Sequence, residues 1–413
     1  MTFSQWKRKA AACVAGFTLC LPTLAADTPT TASGLANALE QAWRLHPQAA
    51  ALDAREAEAR ANQEVATGLT PEPGSVSVGS LNDRLNRNLG RQEWEVELAT
   101  PLWLPGQKAA RVAQAASRID EAITIRAALR IELAGEVREA WWALATARNA
   151  TMLVRQRLDT VRALAADVRH RYNVGEMSRI DANLAQTEVQ IADAELIDAE
   201  ASSLQAEQAL RLLTGASAPT ELAAETPATL GATTGMPESH PQLVAAVAAS
   251  RSARAKVKVA DQSRRAAPEL ALRVVRERRD FTEPYGNSIG IRLKIPFSSG
   301  AQVRRETSSV QAEANQADAE MLRTQARVQL DIERAQRVLQ ATERQFAVAE
   351  ERRSLSAENL KLAEKAFALG ESDLTTLLRI RAAAYDAEAF LGRQHVARAA
   401  AQSRIKQSLG VLP

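Results

Sequence analysis

Cysteine is nearly absent. The chain of 413 residues has two, Cys13 and Cys20, both within the first 26. A disulfide scaffold is thereby excluded for everything after them. A surplus of one charge is missing too. Lys7, Arg8 and Lys9 account for the whole excess of 52 Lys+Arg over 49 Asp+Glu. The remainder is neutral, which removes the electrostatic case for nucleic acid. No apolar run approaches the roughly 18 residues of a membrane-spanning helix, so a route into a membrane must use strands. Nor is there a nucleophile elbow, a phosphate loop or a metal-ligand cluster. The histidines, His46, His170, His240 and His395, are not at ligand spacing, and neither are Met152, Met177, Met236 and Met321. No enzyme activity, cofactor or metal is expected. Aromatic residues reach only 4% against 46% hydrophobic and 24% charged, yet the composition is that of an ordered protein.

What is present begins with a leader. Lys7, Arg8 and Lys9 precede an apolar stretch over 10–21, and Leu24-Ala25-Ala26 offers small residues for cleavage. Residues 1–26 therefore read as a secretory signal peptide. Cys20 follows Phe17-Thr18-Leu19, which is no lipidation box.

Repetition is the strongest signal. His46-Pro47-Gln48 recurs as His240-Pro241-Gln242, and Leu98-Ala99-Thr100-Pro101-Leu102 as Leu293-Lys294-Ile295-Pro296-Phe297. Tyr172-Asn173-Val174-Gly175-Glu176 recurs as Phe367-Ala368-Leu369-Gly370-Glu371, and Leu213-Thr214-Gly215 as Ser408-Leu409-Gly410. Four landmarks in one order at nearly one offset predict a tandem duplication, with repeat 1 over 27–213, a linker over 214–237 and repeat 2 over 238–413.

Each repeat predicts helix, two strands, a very long helix, a tight turn and a closing helix. Period-two alternation places strands at about 74–82 and 92–101, then at about 269–277 and 287–296. Between Gly106 and Pro219 there is no proline, and 301–368 has neither Gly nor Pro. Those stretches predict long helices at about 107–171 and 301–368, each about 100 Å long at 1.5 Å per residue. Leu129, Leu133, Val137, Ala140 and Leu144 keep a stripe along the first. The turns fall at 172–178 and 369–373, and closing helices run to 213 and 410. Helices of this length cannot bury their stripes alone and imply a coiled-coil-like assembly.

The strands have two distinct faces. Trp94, Val96, Leu98, Leu270, Leu272, Val274, Ile289, Ile291, Leu293 and Ile295 share one; Glu93, Glu95, Glu97, Arg273, Arg292 and Lys294 share the other. A soluble sheet packed on a helix fits this pattern, and so does a membrane β-barrel, greasy outside and wet inside. Trp94, Trp103, Phe281, Tyr285 and Phe297 sit toward strand ends, where an aromatic girdle would lie. Four strands cannot close a barrel. Two chains would give eight, whose interior side chains fill, and three would give twelve, with an open lumen. In a barrel the glutamates and the Arg/Lys residues would cross-pair within the pore.

The tip sequence from Arg171 to Asp181, with its partner from Phe367 to Leu374, resembles the periplasmic hairpin tip of the TolC-type outer-membrane efflux protein family. His46-Pro47 and His240-Pro241 resemble the family's opening of each repeat. The resemblance covers essentially the whole chain after the leader. It implies a mainly α fold with a small β part: a homotrimer with a 12-stranded transmembrane β-barrel, four strands per chain, above a helical periplasmic tunnel. The implied location is the outer membrane, in contact with its lipid. The implied partners are a periplasmic adaptor protein and an inner-membrane pump of the resistance-nodulation-division type. Adaptor contact carries over to Arg171, Val174, Gly175, Ser178, Leu369 and Gly370. A periplasmic gate carries over to Asp181, with Glu176, Glu371 and Asp373 near it, although Thr376 stands where a second acidic ring would be. Leu374, Leu377 and Leu378 after the second tip resemble the heavy-metal-exporting, CzcC-like branch. The competing expectation is a soluble periplasmic coiled-coil adaptor or scaffold.

Overall fold

The computed structural model describes residues 34–86, 88–225, 239–297 and 299–413. The expected signal peptide, 1–26, and half of the expected linker, 226–237, lie outside the described residues. Within Ser33–Pro413 the order is α1 (Gly34–Leu45), α2 (Pro47–Thr67), β1 (Ser75–Asn82), β2 (Gln92–Pro101), α3 (Gln107–Asn173) and α4 (Arg179–Thr214). The second half continues with α5 (Pro241–Gln262), β3 (Glu269–Arg278), β4 (Gly286–Lys294), α6 (Gly300–Ala368) and α7 (Leu374–Ser408). From α2 and again from α5 the order is helix, strand, strand, long helix, helix.

His46 and His240 explain how α2 and α5 begin. In each, the imidazole Nδ1 accepts from the backbone N–H two residues on, Gln48 and Gln242, both at 3.3 Å. Proline follows at the first helical position, where its missing N–H costs nothing. His240 is buried, and burial holds its pKa below the ordinary histidine value. The neutral ring is the form that can accept this bond.

α3 and α6 are 67 and 69 residues long. Their first halves pack against α2 and α5, and their second halves against the antiparallel α4 and α7. Of the expected stripe on α3, Leu133, Val137 and Leu144 are buried, while Leu129 and Ala140 are half-buried. The largest core lies midway along α3, where α1 wraps it: Leu35 and Leu39 meet Val137, Trp141 and Leu144, with Leu210 of α4. A buried ion pair locks this region. Arg138 donates from Nε to Glu225 Oε1 at 2.8 Å and from Nη2 to the Val411 carbonyl at 3.0 Å. Ser403 also donates to Glu225, at 3.0 Å. The linker, α3 and the end of α7 are thus stapled together.

The sheet is antiparallel, in the order β1-β2-β3-β4, so β2 and β3 join the two halves. β4 stops at Lys294, so Ile295 lies just past the strand. Every connection to a helix leaves from one end of the sheet, and the two hairpin loops lie at the other.

Candidate functional site

The sheet faces are built by register. Val78, Val96, Val274 and Ile289 stand opposite one another across all four strands, as do Val76, Leu98, Leu272 and Ile291. These large apolar side chains are all exposed, Ile291 at 79%. Within β4 the exposed apolar positions from Ile289 to Leu293 span about 14 Å at roughly 3.4 Å per residue. Charge fills the opposite face. Arg273 reaches Glu95 at 2.7 Å and Glu93 at 3.5 Å, and Arg292 reaches Glu97 at 2.6 Å. Lys294 pairs instead with Glu269, at 3.6 Å, a partner that the sequence reading did not name. Three glutamates of β2 and two arginines of β3 and β4, five charges in all, are therefore drawn together by strand pairing. β1 and β4 each keep one edge without a strand partner.

The second candidate region is the pair of helix-hairpin tips. α3 extends to Asn173, so Arg171 belongs to the helix and the turn itself is shorter than expected. The same hydrogen bonds close both turns. Glu176 N–H donates to the Arg171 carbonyl at 2.8 Å and Gly175 N–H to Tyr172 at 3.1 Å; Glu371 and Gly370 repeat this with Ala366 at 2.9 Å and Phe367 at 3.1 Å. This is a Schellman closure, and it requires a left-handed residue. Gly175 and Gly370 supply it at φ +84° and +75°. A Cβ at either would meet nothing within 4 Å, so glycine is needed for its dihedral and not for space.

α4 then starts with a capping box. Asp181 N–H donates to Ser178 Oγ at 3.2 Å, while the Asp181 carboxylate accepts from Ser178 N–H at 3.2 Å. Asp373 caps α7 by accepting from Thr376 N–H at 3.3 Å. A hydrogen bond from the Thr376 side chain, more than this backbone bond, holds the Asp373 carboxyl below the usual aspartate range. Each of these two gate candidates is thus tied to its own helix start. Glu176 and Glu371 are exposed just after the glycines, and no hydrogen bond among the described residues joins the acids of one tip to those of the other.

Other side chains do join the tips. Arg171 stacks its guanidinium 5.3 Å from the Phe367 ring and pairs with Asp167 at 3.1 Å. Leu164, Val168, Phe367, Leu374 and Leu377 form one buried cluster beneath them. The leucines expected to mark a metal-exporting branch are therefore packing residues here. Val174 and Leu369 remain 58% and 64% exposed. Among the described residues no group of three or more His, Cys, Asp or Glu is placed to hold a metal ion. No helix there is long and apolar enough to cross a membrane.

Sequence reasoning missed the Arg138–Glu225 staple. Arg138 sits three residues before Trp141 and four after Ala134, a buried-face position where a charge signals a partner. Glu225 offers no such signal, because its linker has no periodicity.

Residues 34–216 match the outer membrane efflux protein family. Comparison with curated proteins finds no match. Among solved structures, the chain is similar to a membrane protein from Pseudomonas aeruginosa, at 20% identity over 92% of this chain and 91% of that one, with a TM-score of 0.74. It is also similar to the VceC outer membrane protein of Vibrio cholerae, at 16% identity over 91% and 96%, TM-score 0.74. The CmeC outer membrane channel of Campylobacter jejuni matches at 13% identity over 91% and 85%, TM-score 0.74. At these identities the likeness establishes a shared fold.

Proposed function

We propose that this chain is an outer-membrane efflux channel: a passive duct through which an inner-membrane pump and a periplasmic adaptor discharge their cargo. The observation that carries this is the sheet. Its apolar face is bare, its charged face is internally paired, and both of its edges are open. Lipid tolerates the first and forbids the last, because an unpaired edge exposes backbone groups that no solvent there can satisfy. Three copies, β4 of each beside β1 of the next, close twelve strands around an open lumen lined by Glu93, Glu95, Glu97, Arg273, Arg292 and Lys294. The same symmetry lets α3, α4, α6 and α7 bury their stripes against neighbours as a tunnel in the periplasm. Residues 1–26 serve as the export signal.

At the tunnel mouth the exposed Val174 and Leu369, flanking glycines without side chains, form the surface for the adaptor, with Arg171 and Ser178 shaping it. A ring of three Asp181 carboxylates there, with Glu176, Glu371 and Asp373 near it, is the candidate gate. Carboxylates brought together repel one another, which would favour an open ring. The cargo is to be settled by an export assay comparing divalent heavy-metal cations with organic toxicants.

Fractionation and planar-bilayer recording test the channel. The expected outcome is a detergent-extracted, heat-dissociable trimer with steady conductance. A monomer released by osmotic shock, soluble without detergent, would overturn the proposal in favour of a periplasmic scaffold. For docking, Val174→Glu with Leu369→Glu should abolish efflux while trimers persist; unchanged efflux removes the tip from the adaptor surface.

A further inference from the structure

Strand β3 does not end its apolar face with apolar residues. Leu270, Leu272 and Val274 alternate outward, and the next two positions on that face are Arg276 and Arg278. The register fixes them there: Arg276 stands opposite Trp94 on one side and Asn287 on the other, and Arg278 opposite Gln92. Both lie at the hairpin end of the sheet, farthest from the helices. Among the described residues neither has an ion-pair partner, whereas Arg273 and Arg292 on the other face each reach two glutamates.

Aromatic rings hold them in place of carboxylates. The Arg276 guanidinium lies 4.7 Å from the Tyr285 ring centre; that of Arg278 lies 4.9 Å from Tyr285 and 5.3 Å from Phe281. The platform is itself fixed. Tyr285 donates its hydroxyl to Gln92 at 2.7 Å, and Arg278 Nε donates to the Gly90 carbonyl at 3.0 Å. Gly90, at φ +97°, lets the first hairpin loop press on Phe281, where a Cβ would come within 2.6 Å of the ring. Nearby acids are turned to other work. Asp280 accepts from Thr282 N–H at 2.7 Å, Glu283 accepts from Arg279 N–H at 3.3 Å, and Glu277 lies on the opposite face of the strand. Stacking orients a guanidinium while leaving its N–H edges for another acceptor, and planar forks of this kind suit phosphate oxygens.

We propose that Arg276 and Arg278, on the platform of Tyr285 and Phe281, bind the phosphate groups of phosphorylated lipid head groups in the outer leaflet. This rests on reading the sheet as a barrel wall. A lipid-facing arginine is costly at mid-depth and nearly neutral at the interface, and this pair marks where the apolar band stops. The two residues are about 7 Å apart along the strand, near enough to converge on one phosphate. In a trimer the pairs would recur around the outer rim.

The test uses the full-length protein in a neutral detergent, wild type against R276Q/R278Q. Native mass spectrometry would count retained copies of added bis-phosphorylated lipid A or of its dephosphorylated form. Wild type should retain the phosphorylated lipid about tenfold better than the dephosphorylated one, the ratio expected for one or two charge-assisted contacts. The double variant should lose that preference while keeping its trimer and its conductance. Tyr285→Ala, which keeps both charges, should lower the preference as well. Equal retention by wild type and R276Q/R278Q overturns the site, and so does indifference of the wild type to phosphate. A wild type that fails to enter a bilayer at all overturns the barrel reading instead.

Discussion

Two adjacent residues of β4 separate the two faces of the sheet. Ile291 lies in the apolar row with Leu272 opposite it, and Gly290 lies in the charged row opposite Arg273. Arginine at 291 would place a charge in the middle of the lipid-facing band. Such a substitution costs about 2–4 kcal/mol at the bilayer midplane, hence about 6–12 kcal/mol for three copies in one barrel. That rivals the roughly 5–15 kcal/mol by which folded proteins are stable, so Ile291→Arg should leave little or no inserted trimer. Gly290→Arg places the same side chain on the wet face. Its Cβ meets nothing within 4 Å, and its cost is repulsion from Arg273 across the pair, no more than about 1 kcal/mol per chain. Urea-washed membranes, followed by unheated gel electrophoresis, would read the trimer directly. Expected are a trimer band for Gly290→Arg and its loss for Ile291→Arg. Equal insertion of both would refute the assignment of faces. Loss of both would show that β4 tolerates no bulk, and the barrel argument would lose its sharpest support.

The buried staple offers a second measurement. Glu225→Ala leaves the Arg138 guanidinium buried without its carboxylate and should lower stability by about 3–5 kcal/mol in denaturant titrations; a change below 1 kcal/mol would mean that the linker strap is dispensable. Gly370→Ala should cost about 1–2 kcal/mol, all of it from the left-handed dihedral, and Gly370→Asn should recover part of this in the same titration. His240 supplies a pH prediction. Its folded pKa is depressed by burial, so the unfolded chain binds the extra proton, and stability present above pH 6.5 is lost as pH falls toward the folded pKa. His240→Asn keeps a side-chain cap and should flatten that pH dependence in melting curves between pH 7 and 5; an unchanged slope would assign it to other groups.

The element order was legible because helices and strands announce themselves within a few residues. Proline-free stretches gave α3 and α6, alternation gave the four strands, and Gly175 and Gly370 marked the turns. His46 and His240 were also readable, since a cap and a following proline act within one turn. The gate candidates depend on more than local pattern. Asp181 looked like a pore carboxylate, yet its nearest partner is Ser178, three residues away, and local capping satisfies it in the single chain.

What the chain dictates alone is therefore everything decided by neighbours along the backbone: where strands begin, which side chains alternate, where a helix must stop. Tertiary structure decided who meets whom. Arg273 finds Glu93 and Glu95, Arg138 finds Glu225, and Arg276 shares a face with Trp94 only because β2 and β3 pair in one register out of several. A slip of one residue would invert every face. That choice is made by packing between segments up to almost 200 positions apart, which no local pattern encodes.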